Sequence, residues 1–87
     1  MSEIAVHPRI LRWHPELSSS DVVAAMRSAF RYKQRPSGEW VAVGLDGNSR
    51  LVEMVYLYNA ERDLFFVYHA MTPPSRKTLL ELDLERR

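Results

Sequence analysis

Along S-S-S-D-V-V-A-A-M-R-S-A-F, Val22, Ala25, Met26, Ala29 and Phe30 recur at steps of three and four, which places them on one face of a helix. Ser18, with Asp21 three residues on, gives that helix a capping-box start. Before it, Ile10, Leu11 and Trp13 lie between two His-Pro pairs. Pro8 suits a first helical position and Pro15 forces an end near His14, so a short helix or turn is expected there. From Trp40 the apolar period shortens toward two. W-V-A-V-G-L (40–45), D-G-N-S and R-L-V-E-M-V-Y-L-Y (50–58) read as a hairpin with Asp-Gly at its turn. N-A-E-R-D makes a second loop before L-F-F-V-Y-H-A-M (64–71), and R-Y-K-Q-R (31–35) is a candidate fourth, edge strand. Thr72 then reads as an N-cap with Pro73 in the first helical position, followed by Leu79, Leu80, Leu82 and Leu84. The closing Leu-Glu-Arg-Arg is expected to fray. The expected fold is therefore α+β: two N-terminal helices, a three- to four-stranded antiparallel meander sheet and a short C-terminal helix.

Loop lengths turn these strands into a register. A five-residue loop from Asn59 to Asp63 sets Tyr58 against Leu64 and brings Glu53 directly opposite His69, on one sheet face. A four-residue turn from Asp46 to Ser49 adds Trp40, Ala42 and Gly44 to that face. The other face then carries Val41, Val43, Val52, Met54, Tyr56, Phe66 and Tyr68, and is the expected bed for the helices. A slip of one residue would exchange the faces.

Composition narrows the class. The 87 residues suffice for one domain, residues 1–87, and the 46% hydrophobic fraction is that of a globular chain. With no cysteine there is neither a disulfide framework nor a thiolate metal site. The absence of a long apolar run and of a signal-like N-terminus leads to an expectation of cytoplasmic location with no membrane segment. A net charge of +1 argues against binding nucleic acid by bulk charge. That charge is unevenly spread: residues 1–35 hold six basic and three acidic side chains, whereas residues 36–63 hold two and five.

Three features carry candidate chemistry. Glu53 beside His69 would orient an imidazole as a general acid–base pair needs, or would be a structural ion pair. Arg76 and Lys77 enter the first turn of the last helix, where the dipole disfavours cations. They are either a solvated face or, with the helix start, a site for a phosphate. His14, flanked by Arg12 and Trp13, could stack on or donate to a nucleotide, or could simply terminate a helix. The histidine spacing gives no metal site, and no cofactor motif is present.

Taken in order, R-W-H-P-E-L-S-S-S-D, V-G-L-D-G-N-S-R-L-V-E-M-V-Y and Y-H-A-M-T-P-P-S-R-K resemble motifs of the BrnT-like branch of the RelE/ParE toxin superfamily. These are small ribonuclease toxins paired with an antitoxin. His14 falls on the family histidine, Arg50 on the family arginine before the apolar strand, and Arg76 and Lys77 on the basic pair. His69 stands where the family carries arginine, and Pro73-Pro74 replace two basic residues. The resemblance implies metal-independent RNA cleavage. Arg76, Lys77 and Arg50 would hold the phosphate, with His69, tuned by Glu53, and His14 as acid–base groups. It implies as partners RNA and a cognate antitoxin covering the basic cleft, with a homodimer as a further expectation. The alternative is a non-catalytic interaction module of the same fold, using the sheet face of Phe65, Val67, Leu51 and Val55 against a partner protein or a second copy.

Overall fold

The computed structural model describes residues 2–85; Arg86 and Arg87 of the closing tail lie outside the described residues. It is an α+β fold of three helices and one mixed five-stranded sheet. The elements run β1 (Glu3–Val6), α1 (Arg9–Trp13), α2 (Ser19–Arg27), β2 (Arg31–Gln34), β3 (Trp40–Leu45), β4 (Leu51–Asn59), β5 (Leu64–Met71) and α3 (Arg76–Glu81). The sheet order is β1-β5-β4-β3-β2. The antiparallel meander β2 to β5 follows expectation, and residues 31–34 do form its edge. The first strand corrects it: β1 pairs in parallel with β5, Glu3 to Val6 against Leu64 to Val67, so the sheet is mixed and has five strands.

The α2 start has both capping-box bonds. The Ser18 N–H donates to Asp21 Oδ2 (2.9 Å), and the Asp21 N–H donates to Ser18 Oγ (3.1 Å). Val22 and Ala25 are fully buried against the sheet, with Met26 and Ala29 packed beside them. The helix stops at Arg27, so Phe30 leaves the predicted apolar face; it is half-exposed and its N–H donates to the Val43 carbonyl.

The β3–β4 turn is one residue longer than the Asp-Gly reading predicts. Leu45 pairs with Leu51, and the turn is built by the Asp46 carboxylate rather than by Gly47. Asp46 Oδ1 accepts the N–H groups of Asn48 (2.8 Å) and Arg50 (2.9 Å), and Ser49 takes the left-handed conformation (φ 62°). A one-residue change exchanges the faces of β3. Trp40, Ala42 and Gly44 therefore join Val52, Met54 and Tyr56 beneath α1 and α2, while Val41 and Val43 share the opposite face with Glu53 and Val55. Leu82, Leu84 and Tyr68 cover that second face.

Helix α3 also starts later than predicted. The residue before a proline is kept out of the α region, so Pro73, followed by Pro74, cannot open a helix. Thr72 instead donates its hydroxyl to the Leu51 carbonyl (2.6 Å), and Ser75 is the N-cap, accepting from the Thr78 N–H.

Candidate functional site

β1 is four residues long and β5 is eight. The His7 N–H makes the last bond to β5, at the Val67 carbonyl (2.8 Å), and Pro8 then turns the chain into α1. The end of β5, from Tyr68 on, thus lies beyond the strand that covers its edge, and α1 packs there instead. At that point β5 also bulges: Tyr56 pairs with Val67 but Val55 pairs with His69, which leaves Tyr68 as the extra residue. The bulge and the end of β1 together open a cleft of about 390 Å³ lined by Arg9, Ile10, Trp13, His14, Tyr68, His69 and Ala70.

His69 is not directly opposite Glu53, as the simple register has it, but one pair diagonal to it, because Met71 takes the opposing place. The shift keeps both side chains on one face, and His69 Nε2 lies 2.8 Å from Glu53 Oε2. Glu53 is 6% exposed. Its other oxygen, Oε1, accepts the Ser75 N–H and the Ser75 hydroxyl, both at 2.9 Å. Burial by itself would raise the Glu53 carboxyl. The hydrogen bonds from His69, the Ser75 N–H and the hydroxyls of Thr78 and Ser75 outweigh it and hold the group at about 2. Being ionised, Glu53 can only accept, so Nε2 of His69 carries the proton and donates. In the neutral ring the lone pair is then on Nδ1. His14 Nδ1 sits 3.3 Å from Glu16 Oε1, leaving Nε2 as its second nitrogen.

A carboxyl depressed from 4.5 to about 2 stabilises the folded state above 4.5, and that stabilisation drains away as the pH falls toward 2. Its size is on the order of 3 kcal/mol. Urea midpoints of the protein and of Glu53→Ala are accordingly expected to differ most near neutral pH and to converge near pH 2.5. A constant gap across that range would mean that the carboxylate is not held this way.

The remaining predicted site residues are placed elsewhere. The anion at the start of α3 is the chain's own Glu53, bound by the N-cap Ser75. Arg76 and Lys77 project to solvent in the first turn, Arg76 Nε lying 3.6 Å from Glu85 Oε1. They border a shallow depression shared with Arg35, Glu81, Asp83 and Glu85, where carboxylates offset the cations. Arg50 is a clamp: Nε donates to Asp46 Oδ2 (2.7 Å), Nη2 to Asp21 Oδ2 (3.2 Å) and Nη1 to the Glu16 carbonyl (3.1 Å). It ties the β3–β4 turn to the entry of α2. The structure puts His14 and His69 on one cleft, with Glu53 behind His69; the sequence pointed to neither Arg9 nor Tyr68 there. Arg9 makes no ion pair among the described residues, and the only signal for it was its place directly after the first His-Pro. Trp13, 77% exposed, is the most exposed large apolar side chain among the described residues and stands on the cleft's rim.

Among the described residues no group of three or more His, Asp or Glu side chains is placed to hold a metal ion, and no helix is long and apolar enough to cross a membrane. No protein-family model, no curated protein and no solved structure matches this chain.

Proposed function

We propose that the cleft between α1 and the end of β5 is the active site of a toxin-like endoribonuclease that needs no metal. The observation that carries the reading is the pair of histidines on one cleft, one of them oriented by a buried, ionised carboxylate. His69 Nδ1 takes the proton of a ribose 2′-hydroxyl while the 2′-oxygen attacks phosphorus. His14, as imidazolium, gives a proton to the departing 5′-oxygen as the P–O5′ bond breaks. The products are a 2′,3′-cyclic phosphate and a 5′-hydroxyl end. Arg9 stabilises the charge that builds on the phosphoryl oxygens, and Trp13 offers an exposed ring to a neighbouring base. Glu53 steadies the imidazolium formed at His69. The resemblance to the BrnT-like toxins supports the same chemistry, with Arg9 in place of Arg50, Arg76 and Lys77 at the phosphate. On that resemblance a cognate antitoxin would silence the protein by covering this cleft.

The test is cleavage of single-stranded RNA in chelator. His69→Ala and His14→Ala are each expected to slow it by about 100-fold or more, whereas Arg76→Ala/Lys77→Ala leaves it near the parent rate. Intact RNA from folded parent protein, or undiminished rates in both histidine variants, would sink this assignment. The first of those results would favour the interaction module, but not by the face first expected for it: Phe65 and Val67 pack under the helices and Val55 is buried on the other side, so only Leu51 of the four stands exposed, with Leu57 further along β4.

A further inference from the structure

The two N-terminal helices are too short to cover the sheet face on which they pack. Toward the β4–β5 turn they leave a groove of about 570 Å³ between Met26 of α2, Ala29 just beyond that helix, and the ring-bearing ends of β3, β4 and β5. This volume is that of a small-molecule site. Its floor is aromatic. The Trp40 and Tyr56 rings lie within 10° of parallel with centroids 6.3 Å apart, and Phe65 meets Tyr56 edge-on at 5.7 Å. Tyr32 closes one side, 6.3 Å from Trp40.

The polar groups of the groove are what an apolar packing surface would not need. Tyr56 is only 6% exposed, yet its hydroxyl has no hydrogen-bond partner among the described residues. The indole N–H of part-buried Trp40 likewise has no partner among the described residues, whereas the Tyr32 hydroxyl is exposed to solvent. Buried Tyr and Trp ordinarily find such a partner. Among the described residues no sealed side-chain polar atom is left without one, so the Tyr56 hydroxyl opens into the groove. Burial, with Tyr32 nearby, raises the Tyr56 phenol above its usual value, which keeps it a donor. At the rim stands Arg27, exposed and without an ion pair among the described residues. Flat apolar walls, unanswered donors and a free cation call for a flat ligand rich in acceptors.

We propose that this groove binds a planar aromatic small molecule carrying an anionic group, its ring against Trp40 and Tyr56 and its anionic oxygens on the Tyr56 hydroxyl and the Arg27 guanidinium. Two sources share this chemistry, an aromatic carboxylate and a nucleotide. The groove and the histidine cleft have no lining residue in common, so the proposal stands apart from RNA cleavage.

The full chain, labelled with ¹⁵N, is titrated separately with 2-naphthoate and with adenosine 5′-monophosphate. The Trp40 indole N–H signal is distinguished from that of Trp13 by Trp13→Phe. At least one probe is expected to shift the Trp40 signal saturably, and Tyr56→Phe or Arg27→Ala to weaken that binding by about tenfold. A response to naphthoate alone assigns a carboxylate ligand, and a response to the nucleotide alone assigns a nucleotide. A Trp40 signal unmoved by either probe at millimolar concentration overturns the proposal. So does binding that is unchanged in both variants, or sedimentation as a dimer in which Trp40→Ala restores the monomer, since a second copy would then fill the groove.

Discussion

Glu53→Gln is expected to cut RNA cleavage by about 10³- to 10⁴-fold while leaving the protein folded, the size seen when a catalytic imidazole is held in the wrong tautomer. Glutamine keeps the shape, and its carbonyl oxygen can still accept from the Ser75 N–H and hydroxyl, which sit on Oε1. Its amide nitrogen then faces His69 Nε2, where Oε2 stood at 2.8 Å. Two donors cannot face each other, so the ring must carry its proton on Nδ1 and accept at Nε2. The lone pair proposed to take the 2′-hydroxyl proton disappears, and with it the negative charge that would steady the imidazolium. Neutral hydrogen bonds in place of charge-assisted ones cost about 1–2 kcal/mol of stability. Cleavage rates and urea midpoints measured on the same preparation separate the two effects. Parent-like cleavage by the glutamine variant would remove Glu53 from the mechanism and leave it as the anchor of α3 alone.

The largest stability loss is expected at Gly44. A Cβ there would lie 2.0 Å from the Ala25 carbonyl oxygen, 2.9 Å from its carbon and 3.1 Å from Ala29 Cα. All three are backbone atoms of α2 or its exit, so no side chain can swing aside. The helix must lift from β3, loosening the fully buried Val22 and Ala25. Gly44→Ala should cost about 3 kcal/mol or more, lowering Tm by about 15 °C or more in a domain of this size. Gly47→Ala is the control, since nothing lies within 4 Å of a Cβ there. Thermal melts of the two variants decide the point: equal midpoints would mean that α2 does not rest on β3 at Gly44.

Much of this architecture is written locally. The capping box of α2, the strand runs and the alternation beside them depend on neighbours a few residues apart, and the sequence shows them. The errors lie where a distant partner or a side chain sets the backbone. Glu3–Val6 is a strand because β5 offers it an edge about sixty residues later, and no local pattern announces a parallel partner. The β3–β4 turn is set by the Asp46 carboxylate, and its extra residue exchanged every face assignment on β3. The β4–β5 turn is one residue shorter than read, because Asn59 rather than Tyr58 pairs with Leu64, and the bulge at Tyr68 adds a second one-residue shift. Around Glu53 the two sum to an even displacement, so the predicted contact with His69 survived an incorrect pairing. The start of α3 was legible in principle, from the rule that a proline disfavours helix in the residue before it. Arg9 belongs to the cleft only because α1 docks on the uncovered end of β5, a fact of tertiary packing.

The cleft draws Arg9 and His14 from the first fifth of the chain and Tyr68 and His69 from its last quarter. During synthesis, therefore, the two halves of the proposed site emerge at different times. His14 waits beside an incomplete sheet until β5 has been translated and has paired with β1. A chain stopped before residue 69 holds His14 but has no oriented partner for it. On the proposed reading, the order of the strands would withhold ribonuclease activity from the nascent chain until its sheet can close.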